Sequence, residues 1–429
     1  MRVTLAFGRS GLEIELPAGP TWRVLHPRAK GPVANVPAAL AAALDQPIGL
    51  PGLREIAKGR VTAAISVCDI TRPAPNAGTL PPLLARLHEA GIAKEAVTIL
   101  IATGLHRPAT AAEIHAILGP SIADQYRVLN HDARDLSSHA ALGPTRRGTP
   151  VYIDKNFIQA NLHITLGFIE QHLMAGFSGG RKLIAPGLAA QETIKVLHSP
   201  KFMREPSATE GSFEGNPLHA ELLEIGAMAR HDFMLDVALN RDREITGIFA
   251  GHGVHAHAAG VKFLRETQLE TVLAPVDAVI TTGAGYPLDL TFYQTIKGVT
   301  AAQHIVKTGG KILVFGECSE GVGAPEFAAR LKGLSTYGGF LKEIETAPVG
   351  IDQWQLEKLA MAGSKVETLF HIPGLRREAT GGLADRVFPT PAKAIEALLH
   401  GLPRHATVAV IPEGPYVFAQ PRQDAAMTF

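Results

Sequence analysis

The sequence predicts an α/β protein of two α/β domains with mostly parallel sheets and an interdomain active-site cleft. Three observations carry that expectation. Short apolar runs alternate with helical patterns along most of the 429 residues, as βαβ units do. The runs Val61–Val67, Val97–Ala102, Asn161–Leu166 and Asp277–Thr281 each end at a polar or glycine-rich cluster. In open parallel sheets that edge is where ligands bind.

Composition sets the outer bounds. Hydrophobic residues at 46% and charged residues at 19% suit a folded enzyme rather than a disordered chain. Forty-one basic against 40 acidic side chains give a net charge of +1, so neither nucleic acid nor an anionic membrane is expected as a partner. No apolar run is long enough to span a bilayer, and the start lacks a signal peptide's pattern. Only Cys68 and Cys318 are present, outside any C-x-x-C pattern. Neither a disulfide framework nor a thiolate zinc site is expected, and a cytoplasmic location is the default.

Taken in order, residues 3–7 and 12–16 alternate as paired strands around Gly8-Arg9-Ser10-Gly11. A Pro-, Gly- and Ala-rich stretch follows, with one helical pattern near Pro37–Leu44. Strand Val61–Val67 leads to Asp69-Ile-Thr71-Arg72-Pro73 and a helix over Pro81–Ala90. Strand Val97–Ala102 leads to Thr103-Gly-Leu-His106-Arg-Pro and a helix over Ala111–Leu118. Strand Asn161–Leu166 leads to Glu170-Gln171-His172. A helix over Pro217–Ala229, a hairpin of Phe233–Ala238 with Glu244–Ala250, and a helix over Val254–Thr267 complete the first domain. The expected division is 1–270, then 275–405, with a tail of 406–429 packing back on the first domain. In the second domain, strand Asp277–Thr281 precedes a helix beginning near Tyr293, and Lys311–Phe315 and Thr407–Ile411 read as strands.

The segment Ile169–Pro200 holds the densest chemistry. His172 is followed by a loop with Gly176, Ser178, Gly179, Gly180, Arg181, Lys182 and Gly187, and His198 ends a short helical pattern. Glycines there let backbone N–H groups turn toward an anion. The loop is not a Walker A sequence, and no clean G-x-G-x-x-G opens a helix.

Each candidate residue has a plainer reading beside the functional one. Arg72, behind Asp69, can grip a carboxylate or phosphate, or make a structural ion pair. His106 and His172 can act as general bases or as satisfied structural histidines. Lys182 reads as a functional amine or a solvated one. His198 suits a helix C-terminus, and as a metal ligand it lacks companions at zinc-like spacing. His252, His255 and His257 look metal-like by spacing, or form a surface cluster. Tyr293 and Lys297, four apart with Gln294 between, share a helix face that suits an anion or merely a snorkelling lysine. Trp354 reads as core packing.

Together these motifs resemble the nickel-dependent lactate racemase family of 2-hydroxyacid racemases and epimerases. The resemblance rests on Asp69-Ile-Thr-Arg72-Pro, Thr103-Gly-Leu-His106-Arg-Pro, Glu170-Gln-His172-Leu-Met-Ala-Gly-Phe-Ser178-Gly179-Gly180-Arg-Lys182, His198 and Gly285-Tyr-Pro-Leu-Asp-Leu-Thr-Phe-Tyr293-Gln294-Thr-Ile-Lys297. It implies a nickel-pincer nucleotide, a pyridinium mononucleotide whose two sulfur-bearing arms hold nickel, loaded by cofactor-biosynthesis proteins. Lys182 matches the lysine that can carry it as a thioamide, and His198 matches the nickel ligand. His106 and His172 match the two acid/base histidines. One takes the hydroxyl proton while hydride leaves the 2-carbon, and the other reprotonates once hydride returns. Arg72 and Lys297 match carboxylate-binding groups, and Trp354 an aromatic beside the site. Asp69, Ser178, Gly179, Gly180, Tyr293 and Gln294 match cofactor-positioning residues. Leu105 stands where threonine is expected and Gln171 where proline is usual, which bears on the acid processed more than on the reaction type. The alternatives are an NAD-dependent 2-hydroxyacid dehydrogenase and a non-catalytic ligand- or cofactor-binding protein with the same cleft.

Overall fold

The computed structural model describes residues 1–28 and 30–422. They form two units, one of Ala29–His198 with Glu205–Thr267, the other of Met1–Arg28, Ser199–Arg204 and Gln268–Phe429.

The first unit is built on a six-stranded sheet ordered 245–251, 233–239, 162–168, 63–68, 97–102, 127–130. Every neighbouring pair is parallel except the hairpin of Phe233–Leu239 with Ile245–Gly251. Strand Ala63–Cys68 comes first in the chain and lies inside the sheet. The chain then builds outward on one side of it and returns to build on the other, so the strand order reverses between Ala63–Cys68 and Leu162–Phe168. Such a reversal opens a crevice at the carboxyl edge.

The two faces of this sheet differ in chemistry. Ala63, Ile65, Val67, Ile99, Ile101, Ile164, Leu166, Phe233 and Leu235 all point to one apolar core. Helices Val36–Asp45, Asn76–Glu89 and Ala111–Leu118 cover it. Because side chains alternate along a strand, the opposite face carries Ser66, His163, Thr165 and Asp236, all buried. Helix Ala111–Leu118 starts where expected because Thr110 and Glu113 form a reciprocal cap. Helix Asn76–Glu89 starts five residues before the expected Pro81. Pro81 forgoes one intrahelical bond, but its fixed φ is already helical.

The second unit is built on a five-stranded, all-parallel sheet ordered 367–371, 306–315, 276–282, 407–410, 21–24. Val279, Ile312, Val314 and Phe370 face one core, and Ala278, Ile280, Leu313, Leu369 and Val408 face the other. The sheet is therefore covered on both sides, as all-parallel sheets require.

This organisation corrects the expected 1–270 and 275–405 division. Residues 1–28 belong with the second unit, because Thr21–Val24 pairs in parallel with Thr407–Val410 at that sheet's edge. The described part of the tail, expected to pack back on the first domain, belongs to the second unit. Residues 407–410 are the fourth strand of its sheet, and Phe418–Pro421 pairs with Leu269–Val272. The last part of that tail, 423–429, lies outside the described residues. A short helix, Pro200–Met203, also belongs to the second unit; Lys358 Nζ donates to the Met203 carbonyl at 2.9 Å. No helix among the described residues is long and apolar enough to cross a membrane.

Candidate active site

Three parallel neighbours, Ala63–Cys68, Val97–Ala102 and Leu162–Phe168, deliver Asp69, His106 and Glu170–His172 to the same edge of the six-stranded sheet. Asp69, the first residue past its strand, accepts from Thr71 Oγ1 at 2.6 Å through one carboxylate oxygen. His106 Nδ1 donates to the other at 2.7 Å. Burial works to raise the Asp69 carboxyl, but the His106 ring, Thr71 and Arg72 outweigh it and hold it below the usual carboxylate range. Donation from Nδ1 makes Nε2 the proton-accepting nitrogen of His106. Asp69 therefore orients a base, and both its oxygens are engaged in doing so.

Arg72 Nε lies 3.6 Å from Glu170 Oε1, with both side chains largely buried. This ion pair joins the loop after the first strand to the loop after the third.

The glycine-rich segment folds as a two-stranded ribbon, Gln171–His172 with Gly176–Phe177, followed by a 3₁₀ turn over Gly180–Leu183. His172 Nδ1 accepts the backbone N–H groups of Met174 and Ala175 at 3.4 and 3.2 Å. Its ring proton then sits on Nε2, which donates to Lys182 Nζ at 2.8 Å. The amine can accept because burial, reinforced by the Arg72 and Arg181 charges, lowers its pKa to about 7. His198 caps helix Gln191–Leu197 and donates from Nδ1 to the Ile194 carbonyl at 2.7 Å. Burial pushes its pKa down to about 4, so the ring is neutral at physiological pH. A neutral imidazole with one nitrogen committed to a carbonyl has the form of a metal ligand. Among the described residues, no three His, Cys, Asp or Glu side chains are grouped so as to hold a metal by themselves.

The expected anion cradle takes a different form. Gly180 N–H donates to Asp236 Oδ2 at 2.7 Å, so a carboxylate from the sheet's polar face fills the turn. Gly179, at φ +82°, must be glycine, because a Cβ there would lie 2.2 Å from that oxygen. The Ser178 hydroxyl accepts from the Glu170 N–H and donates to the Phe168 carbonyl, fastening the loop to the strand end.

Sequence reasoning missed what supports this loop. Arg181, 1% exposed, donates to the carbonyls of Ala175, Phe177, Ser178 and Gly179 and meets His257 Nε2 at 2.6 Å. His257 is completely buried, which removes it from the expected surface cluster; His252 and His255 alone stack, at 4.6 Å between ring centres. Burial raises the Asp236 carboxyl to about 7. A signal for Asp236 existed: it interrupts the apolar strand Phe-Met-Leu-Asp-Val-Ala-Leu and pairs in register with Gly167.

In the second unit, helix Phe292–Ala302 begins at Thr291, whose hydroxyl accepts the Gln294 N–H. Tyr293 and Lys297 are half-buried positions on one face of it. Trp354, almost fully buried, donates from Nε1 to Tyr293 Oη at 2.9 Å. Gln294 Oε1 is buried with no hydrogen-bond partner among the described residues. Buried polar atoms are rarely left so unless a ligand completes them.

The chain is similar to known proteins over most of its length. The family profile described as the lactate racemase N-terminal domain matches residues 7–211, and the lactate racemase C-terminal domain matches 272–419. The lactate racemase of Thermoanaerobacterium thermosaccharolyticum is 35% identical over 83% of this chain and 85% of its own length. That of Lactiplantibacillus plantarum is 34% identical over 86% and 88%. The solved structure of the lactate racemase apoprotein from T. thermosaccharolyticum superposes with a TM-score of 0.88 at 30% identity, covering 98% of this chain and 100% of that one. A Thermotoga maritima crystal structure, 16% identical with a TM-score of 0.69 over 92% of this chain and 100% of its own, shares the fold. This chain belongs to the lactate racemase family.

Proposed function

We propose that this isomerase racemises or epimerises a 2-hydroxy acid by reversible hydride removal from the 2-carbon, with a nickel-pincer nucleotide as its cofactor. The observation that carries this reading is the paired arrangement of Asp69 with His106 and Lys182 with His172 at one sheet edge.

The residues present fit the cofactor. Lys182 offers for a covalent tether an amine whose pKa burial lowers to about 7, so that much of it is uncharged at neutral pH. His198 offers a neutral ring with Nδ1 already bonded, and among the described residues no group of three His, Cys, Asp or Glu side chains completes a metal site, which suits a metal brought by an organic ligand. The partnerless Gln294 Oε1 suits a hydroxyl donor such as a ribose. When bound, the cofactor supplies the electrophilic carbon that takes and returns hydride. Lys182 and His198 would hold it, and Tyr293 and Gln294 would bear on the nucleotide. Gly179, Gly180 and Ser178 would act by fixing the shape of the loop.

The chain's own chemistry is proton transfer and orientation. His106 Nε2 takes the substrate hydroxyl proton while Asp69 holds the ring and offsets its gathering charge. His172 serves the same exchange for the other enantiomer. Arg72, Lys297 and Trp354 bind the substrate, with Arg72 gripping its carboxylate. The identity of that acid bears on Leu105 and Gln171, and loading by cofactor-biosynthesis proteins belongs to the same proposal.

Chain co-produced with a pincer-nucleotide pathway tests it. Intact mass should show an adduct that Lys182→Ala abolishes, and metal analysis should show nickel that His198→Ala loses. Chiral chromatography should show one enantiomer of a 2-hydroxy acid converting to both without added NAD. Net oxidation with NAD reduction would instead favour a dehydrogenase. Nickel-loaded protein that leaves a broad hydroxyacid panel unchanged would favour a binding protein.

A further inference from the structure

We propose that the cofactor-free chain captures 2-oxo acids covalently, with Lys182 condensing to an imine, Arg72 seating the carboxylate and His172 supplying the proton that releases water. This activity is separate from racemisation and stands whether or not the pincer-nucleotide reading is correct.

The three groups occur together for structural reasons already given. Lys182 projects from the 3₁₀ turn that Arg181 and Asp236 hold, so its amine is presented from a fixed backbone. His172 Nε2–H is 2.8 Å from that nitrogen, close enough to serve an oxygen on the carbon the nitrogen attacks. Arg72 is the charge that acts most strongly on the amine, and its pairing with Glu170 keeps the guanidinium at this edge. A half-buried amine whose pKa is lowered to about 7 has a large nucleophilic fraction at neutral pH, far above that of an ordinary lysine. A carbonyl compound bearing an adjacent carboxylate is the ligand class that uses all three.

The step needs no oxidant or reductant. The amine lone pair forms a C–N bond at the carbonyl carbon, and a proton moves from nitrogen to oxygen to give a carbinolamine. The C–O bond then breaks as His172 Nε2–H protonates the departing hydroxyl, and water leaves. The nitrogen's remaining proton returns to His172, so amine and ketone have become imine and water.

Full-length chain made in a host without the pincer pathway, incubated with pyruvate and sodium cyanoborohydride at neutral pH, tests the proposal. The trap reduces an imine to a stable secondary amine that intact mass and peptide mapping can locate. The expected result is one adduct, on Lys182, that saturates with pyruvate and is missing in Lys182→Arg. Arg72→Ala removes a charge that lowers the Lys182 pKa, so trapping of both carbonyl compounds should slow, but pyruvate by about tenfold more than propanal, which has no carboxylate, through the loss of one good charge-assisted contact. His172→Asn should slow both. Adducts spread over surface lysines at the rate seen in Lys182→Arg would overturn the proposal, and peptide mapping of the unmutated chain reveals that spread without relying on any variant's folding. Equal slowing of pyruvate and propanal by Arg72→Ala would overturn the carboxylate seat.

Discussion

Two loops at one sheet edge each present a histidine, and they hold it by different means. His106 rests on a single carboxylate, Asp69, which its own loop supports through Thr71. His172 is held by backbone N–H groups on one side and by the Lys182 amine on the other, and beneath its loop lie Arg181, Asp236 and His257. The His106 ring thus meets a carboxylate, and the His172 ring meets an amine. A reaction that runs both ways over one carbon can therefore use two histidines with unlike surroundings. The first loop is tuned through one contact and the second through a buried scaffold.

The largest expected effect tests whether His106 is as exposed to the chemistry as this contrast requires. His106→Gln removes the accepting nitrogen while leaving a hydrogen-bonding side chain near Asp69. Racemisation by loaded enzyme should fall by about 10²- to 10⁴-fold, the usual worth of a general acid/base, equally from either enantiomer at equilibrium. Chiral chromatography from each pure enantiomer reads this, and a loss below tenfold would shift the proton-transfer role elsewhere.

An intermediate effect probes the scaffold beneath the second loop. The Asp236 carboxyl is raised from 3.8 to about 7, chiefly by burial. Between those values the unfolded chain has lost this proton while the folded chain keeps it, so this group's contribution to stability falls as pH rises through the window and is level above it. Asp236→Asn can still accept from Gly180 N–H but does not titrate. Relative to the parent it should gain a few kcal/mol between roughly pH 4 and pH 7, at about 1.4 kcal/mol per pKa unit. Urea midpoints across that range measure it, and parallel pH profiles would mean the carboxyl is not buried under the loop as described.

The same contrast explains what could be read from the sequence. Three strands of the first sheet were legible because they are apolar runs ending in polar clusters, whereas the four-residue edge strand Arg127–Asn130 carries no such signal and was not read; Val97–Ala102 and helix Ala111–Leu118 fall where their patterns and caps put them. Asp69, His106, His172 and Lys182 were legible because each follows a strand end or sits among glycines. Asp236, Arg181 and His257 were not, because their work depends on which face of a strand or turn meets which neighbour. A carboxylate in an apolar strand becomes informative only once register sets Asp236 beside Gly167 and Gly180. The N-terminal 28 residues were misassigned for a similar reason: the four-residue strand Thr21–Val24 is chosen by its partner almost 400 residues away, and no local pattern encodes that pairing.

The smallest expected effect concerns a contact between the loop that supports His106 and the loop that carries His172. Arg72 comes from the loop that carries Asp69 and Glu170 from the loop that carries His172, 3.6 Å apart, with side chains 18% and 21% exposed. At that separation and exposure the pair contributes about 1 kcal/mol or less, so Glu170→Gln should leave the fold intact. If Glu170 only keeps the guanidinium in place for a substrate carboxylate, the KM for the 2-hydroxy acid should rise by about two- to fivefold, the same energy expressed in binding, with kcat little changed. The substitution also removes a negative charge that favours protonated Lys182, so the pH at which the amine becomes reactive should move down. A fall in kcat of an order of magnitude or more would contradict the tether, because a residue that only steadies binding cannot remove that much stabilisation from the transition state alone.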